Sequence, residues 1–177
     1  IILFQTVSVR HMTNAISFVA AIDTATLNDL RTRLQNTRWP DVIGADQWIY
    51  GVPQEWLRDI AGYWANDWDW SAQAAQMNEF EHFKVELDDI PVHFLRAPGK
   101  GPDPIPLILT HGWPWTFWDF KDVIGPLSDP AAYGGDATDA FDVIVPSLPG
   151  FGFSTPLTTS GVDVAIIAKL WVRLMQD

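Results

Sequence analysis

The chain has 177 residues, of which 47% are apolar and 19% charged, with a formal net charge of −11 and no cysteine. This is a globular composition that excludes disulfides and thiolate metal sites, and its acidity argues against nucleic-acid binding. No apolar run has membrane-spanning length, and the four histidines lack metal-ligand spacing. Ten Trp and ten Phe must be largely buried or line a pocket. Residues 1–11 are set aside as a cloning-derived leader, because His11-Met12 is a common cloning junction. With no targeting signal in view, a soluble cytoplasmic protein is the default.

From Asp23 or Thr24 a helix is expected to about Asn36, with Leu27, Leu30 and Leu34 on one face, until Trp39-Pro40-Asp41 stops it. Pro53 fits the first turn of a second helix, to about Ala65, with an apolar stripe of Trp56, Ile60 and Trp64. Ser71 can cap a third, over about 72–80. This aromatic density reads first as core packing, and alternatively as the lining or cover of a site built further on. At Phe83 the period changes. Phe83, Val85 and Leu87, then Ile90, Val92 and Phe94, alternate with polar residues around Asp88-Asp89, which predicts an antiparallel hairpin. His93, among strand residues, is read as structural.

Leu107–Trp118 is the stretch that organises the rest. It reads Leu-Ile-Leu-Thr-His-Gly-Trp-Pro-Trp-Thr-Phe-Trp. An apolar run bounded by Pro106 and Gly112 fits a buried strand. Gly112 is expected to let the chain turn where a Cβ would clash, and Pro114 biases Trp113 towards extended geometry. The Trp113 N–H would then point into a cleft beyond the carboxyl end of a strand, as an oxyanion-stabilising donor. The plainer alternative is an ordinary strand-to-loop corner. A short helix over about 116–123 should turn Phe117, Phe120 and Ile124 inward, and 128–139 reads as a surface loop. Phe141–Val145 is a second buried strand. It ends in Pro146-Ser147-Leu148-Pro149-Gly150-Phe151-Gly152-Phe153-Ser154, and a helix with a clear apolar face is expected from Ser160 or Gly161. Strand, helix, strand, helix implies parallel strands with crossovers. Ser154 lies in Gly-x-Gly-x-Ser, the wrong spacing for a nucleophile elbow, and its hydroxyl is expected to satisfy loop backbone.

Together His111-Gly112-Trp113-Pro114 and Pro149-Gly150-Phe151-Gly152-Phe153-Ser154 resemble the α/β-hydrolase epoxide hydrolases of the group that includes the microsomal enzyme. Leu30, Leu34, Trp39-Pro40, the Trp64–Trp70 stretch, Asn78, Phe80, Phe83 and Ile90–Phe94 extend the resemblance, from about Ile22 to the end. It implies an α/β fold: a helical N-terminal segment over 12–82, then the first strands and helices of an α/β-hydrolase core over 83–177. It implies an Asp nucleophile, a lid Tyr pair and a His oriented by an acid, all beyond this chain. Tyr50, Tyr63 and Tyr133 do not match the lid positions. Two backbone N–H groups would hold the ester oxyanion, one of them that of Trp113, whose ring would also line the pocket. Pro114 would be cis. His111, Gly112, Gly150 and Gly152 would be structural. The substrate would be a small apolar epoxide, with no metal or organic cofactor.

The chain alone is then expected to be inactive, and to need the missing C-terminal half in the same or a separate chain. Its last strand should be an open edge. Other readings are a dehalogenase or esterase of the same fold, a non-catalytic interaction module, or a homodimer whose swapped edges complete the sheet.

Overall fold

The computed structural model describes residues 14–44 and 46–176; the leader assigned to residues 1–11 lies outside them. In chain order the elements are β1 Ile16–Phe18, α1 Thr24–Gln35, α2 Gln54–Asn66, α3 Trp70–Met77, β2 Glu81–Leu87, β3 Ile90–Ala97, β4 Ile105–Ile108, α4 Lys121–Ser128, β5 Phe141–Pro146 and α5 Val164–Gln176. Short 3-10 turns stand at Trp48–Tyr50, Phe117–Phe120, Pro130–Tyr133 and Ala137–Asp139. Two units separate by their contacts: Ala20–Gln76, and the described residues up to Val19 together with those from Met77 onward.

In the helical unit, Asp23 caps α1 by accepting the Thr26 N–H at 2.8 Å. Asn36 already ends that helix, ahead of Trp39-Pro40. For α3 the cap is Asp69, not Ser71. The Asp69 carboxylate accepts the N–H groups of Ser71 at 2.8 Å and Ala72 at 3.1 Å, so the helix starts earlier than the sequence suggested and ends at Met77. The aromatic stripe of α2 does not pack as core. Trp56, Ile60 and Trp64 remain 42–46% exposed, and Ala65 is the buried residue of that helix. The rings meet each other at edges instead: Trp48 on Trp56, Tyr63 on Trp68 and Trp68 on Trp70.

The second unit is a five-stranded mixed sheet in the order β1-β2-β3-β5-β4. Asp88 and Asp89 both take positive φ, 51° and 59°, the signature of a two-residue hairpin turn matched to strand twist. That turn fixes the β2–β3 register, with Leu87 opposite Ile90 and Val85 opposite Val92. Strand β1 adds to β2, inside the stretch read as helical. β4 and β5 are parallel, joined through the Phe117–Phe120 turn and α4, as the crossover pattern requires. The last strand is not the open edge. β5 inserts between β3 and β4 and is buried along its second half, so β4 takes the edge and is only partly buried.

One face of the sheet (Val85, Leu87, Ile90, Val92, Phe94 and Ile144) packs on Leu170, Trp171, Leu174 and Met175 of α5. Val164, the first residue of that helix, stays outside this packing and is 84% exposed. The cap of α5 is Asp163 rather than Ser160 or Gly161; its carboxylate accepts from Ala165 N–H at 3.0 Å and Ile166 N–H at 2.9 Å. Asp163→Ala should therefore lower stability by about 1 kcal/mol, read as a shift of the urea midpoint at unchanged slope. An unshifted midpoint would show that α5 does not depend on this cap.

Candidate active site

β4 and β5 run parallel, so Ile108 and Pro146 deliver their following loops to the same end of the sheet. In open α/β sheets that end is where ligands bind. Loop 109–116 carries His111, Gly112, Trp113 and Pro114, and loop 147–154 carries Gly150 and Gly152.

His111 joins the two loops. Its Nε2 accepts the Leu148 N–H at 3.0 Å, so the ring proton sits on Nδ1, which donates to Gly112 O at 3.0 Å. The ring is buried, with its edge near Phe151. Gly112 O also accepts the Trp115 N–H at 2.9 Å. Gly112 C=O and Trp113 N–H belong to one planar trans peptide. Two hydrogen bonds on that oxygen therefore fix where the N–H points, which is the opposite side. The Trp113 N–H meets no acceptor among the described residues. The Trp113–Pro114 peptide is cis, as the resemblance implied. The Trp113 and Trp115 indoles are 83% and 62% exposed. Gly112 does not avoid a clash among the described residues, because none of their atoms lies within 4 Å of a Cβ built on it and its φ is not left-handed. The turn is held by the bonds on its carbonyl instead.

The second loop does depend on glycine. Gly150 and Gly152 have φ of 84° and 49°, and a Cβ on Gly152 would stand 2.8 Å from Ser147 Oγ. Ser154 is fully buried. Its hydroxyl accepts the His93 N–H at 2.9 Å and donates to Ser147 O at 2.8 Å, so it satisfies loop backbone.

Sequence reasoning missed a buried polar cluster behind this loop. His82 Nδ1 lies 2.9 Å from His93 Nε2, His82 Nε2 lies 2.7 Å from Met77 O, and His93 Nδ1 lies 2.9 Å from Ser147 Oγ. The His93 ring is walled by Phe18, Phe117 and Phe153, with centroids 4.9–5.4 Å away, and stacks on His82. Burial, then the neighbouring His82 and Lys84 charges, push the His93 pKa down to about 3. Burial likewise lowers that of His82, against the opposing pull of the Met77 carbonyl. Both rings are therefore neutral at neutral pH.

A parallel strand pair with a crossover helix, an antiparallel hairpin beside it and two loops gathered at the carboxyl ends place the chain in the α/β-hydrolase class. Residues 15–120 match the family described as "Epoxide hydrolase N terminus", and the chain belongs to that family. It is 44% identical over 159 residues to the protein of Stigmatella aurantiaca (strain DW4/3-1) named "Putative epoxide hydrolase", covering 90% of this chain and 36% of that one. It is 32% identical over 155 residues to epoxide hydrolase 1 of Oryctolagus cuniculus, covering 84% and 34%. The chain thus spans about a third of the length of these relatives. Among solved structures it resembles the Aspergillus niger epoxide hydrolase, with TM-score 0.78, 28% identity, and 91% and 42% of the two chains covered. It also resembles the juvenile hormone epoxide hydrolase of Bombyx mori, with TM-score 0.77, 26% identity, and 92% and 43% covered. The family match starts at residue 15, ahead of Ile22, and so takes in β1. Among the described residues, no helix is long and apolar enough to cross a membrane.

Proposed function

We propose that this chain is the N-terminal portion of an epoxide hydrolase that adds water to an apolar epoxide and releases a vicinal diol. An Asp carboxylate from outside this chain attacks an epoxide carbon. The carbon–oxygen bond breaks, and the freed oxygen takes a proton from a lid Tyr, leaving an enzyme ester. Water, deprotonated by a His, then adds to the ester carbonyl carbon, collapse of the tetrahedral oxyanion releases the diol and restores the carboxylate, and the proton taken up by the His returns to the Tyr phenolate. This chain's own part falls in the second step. The Trp113 N–H is one donor to that oxyanion, and the Trp113 indole forms apolar wall for the substrate. His111 and Gly112 hold the donor, and Gly150 and Gly152 shape the loop beside it.

The observation that carries this reading is the open corner itself. A backbone N–H that meets no acceptor among the described residues stands at the carboxyl end of a parallel pair, in a peptide whose oxygen is held by two hydrogen bonds. Such preorganised donors stabilise a developing oxyanion by about 3–4 kcal/mol each. Styrene oxide tests the reaction and a single turnover in H2(18O) tests the route. A longer natural chain carrying this segment should form the diol, with label entering the enzyme carboxylate before the product. Label appearing directly in the diol would overturn the ester route. Cleavage of simple esters or alkyl halides with styrene oxide untouched would overturn the epoxide reading.

A further inference from the structure

We propose that His82 and His93 are positioning residues for the Trp113 corner, acting through a one-way chain of hydrogen bonds from Ser147 to the Met77 carbonyl.

The direction of the chain follows from its end. Met77 O can only accept, so His82 carries its proton on Nε2. A neutral His82 then has a bare Nδ1, which accepts from His93 Nε2–H. That leaves His93 Nδ1 bare, and Ser147 Oγ–H donates to it. Each ring has one tautomer that satisfies all its partners, and reversing either one sets two donors or two acceptors face to face in a buried site.

Two further ties close on the same residues. Ser147 N–H donates to His93 O at 2.8 Å, and Ser154 Oγ bridges His93 N–H and Ser147 O. Ser147 is thereby held in position and orientation, and the next residue is Leu148. The Leu148 N–H reaches His111 Nε2, and His111 Nδ1–H reaches Gly112 O, in the peptide whose other end is the Trp113 N–H. An unbroken series of directed bonds thus runs from the β2–β3 hairpin to the donor. What the corner does rests on the proposed function. The hydrogen-bond chain does not, and its test uses no catalysis.

Two substitutions at His82 separate hydrogen bonding from packing. His82→Gln keeps an acceptor for His93 and a donor for Met77, whereas His82→Leu fills similar space with neither. In the unaltered chain, side-chain nitrogen NMR should find both rings protonated at Nε2. In His82→Leu, the Leu148 and Trp115 amides should exchange at least tenfold faster relative to amides of the β2–β3 ladder, while His82→Gln keeps their protection. Ser147→Ala removes the opposite end of the chain and should release the same two amides if His82→Leu does not fold. Equal behaviour of the Leu and Gln variants, or an Nδ1 proton on either ring of the unaltered chain, overturns the proposal.

Discussion

Gly152→Ala is expected to destabilise the chain by about 2–6 kcal/mol, with an added cost that Gly150→Ala does not carry. Both glycines have left-handed backbones, at φ 49° and 84°, where a Cβ costs roughly 1–2 kcal/mol. At Gly150 the nearest atom to that Cβ is a Leu157 methyl at 3.4 Å, an ordinary contact. At Gly152 it is Ser147 Oγ at 2.8 Å, and that oxygen has no free direction to move. It is fully buried and bonded to His93, and displacing it breaks a bond worth about 1 kcal/mol. A buried ring nitrogen left without its donor adds a further desolvation cost of about 1–3 kcal/mol if no water replaces it. Urea unfolding of the two variants measures the difference directly. Equal losses at Gly150 and Gly152 would mean that Ser147 relocates freely and that the second glycine serves the backbone alone.

The contrast among three glycines shows where sequence reading works and where it stops. Gly150 and Gly152 sit in a dense turn sequence, and local chemistry is enough to mark them. Gly112 sits in an equally suggestive motif, yet its own geometry makes no demand for glycine. The motif was legible as a corner, but the agent holding it, a histidine bonded to a residue 37 positions later, is tertiary. The hairpin was legible because period-two alternation and a two-residue Asp turn are local signals. The same register sets His82 beside Leu95 and Lys84 beside His93, which puts the two histidines diagonally on one face. The histidine pair could have been found that way. Its Ser147 partner could not, because β5 pairs with β3 through long-range topology. The order of strands was hidden for the same reason. Chain order placed the edge at β5, whereas insertion of β5 beside β3 moved it to β4. On α2 the periodicity correctly gave an apolar stripe, but periodicity reports which face is apolar, not whether anything covers it. Helix starts slipped by two or three residues where Asp69 and Asp163 took the capping role from nearby Ser and Gly.

The largest solution effect should come from the same buried histidines, as a loss of stability on mild acidification. His93 is held neutral in the fold, its pKa pushed down from 6.5 to about 3. In the unfolded chain it titrates normally, so below pH 6.5 the unfolded state binds a proton that the folded state refuses. The stability this contributes is fully present above pH 6.5 and is lost as pH falls towards 3, at about 1.4 kcal/mol per pH unit per proton. Between pH 6.5 and 4.5 His93 alone should remove about 2–3 kcal/mol, and His82, lowered in the same direction, adds to the slope. Carboxylates act further down. Asp23 and Asp136 are held below their usual range chiefly by backbone N–H groups, and Asp129 chiefly by its bond to Lys100. The stability they contribute is lost only as pH falls below about 4. The upper window therefore reports on these histidines with little from these carboxylates. Unfolding free energies measured from pH 7.5 to 4.5 should be flat above the histidine range and fall below it, with a slope that drops by about one proton in His93→Gln. That variant will be less stable at every pH, but the slope counts protons and does not depend on the offset. An unchanged slope in His93→Gln would mean that the folded chain protonates His93 as readily as the unfolded one. The ring would then have to be hydrated in solution, and the aromatic wall of Phe18, Phe117 and Phe153 would not be closed around it.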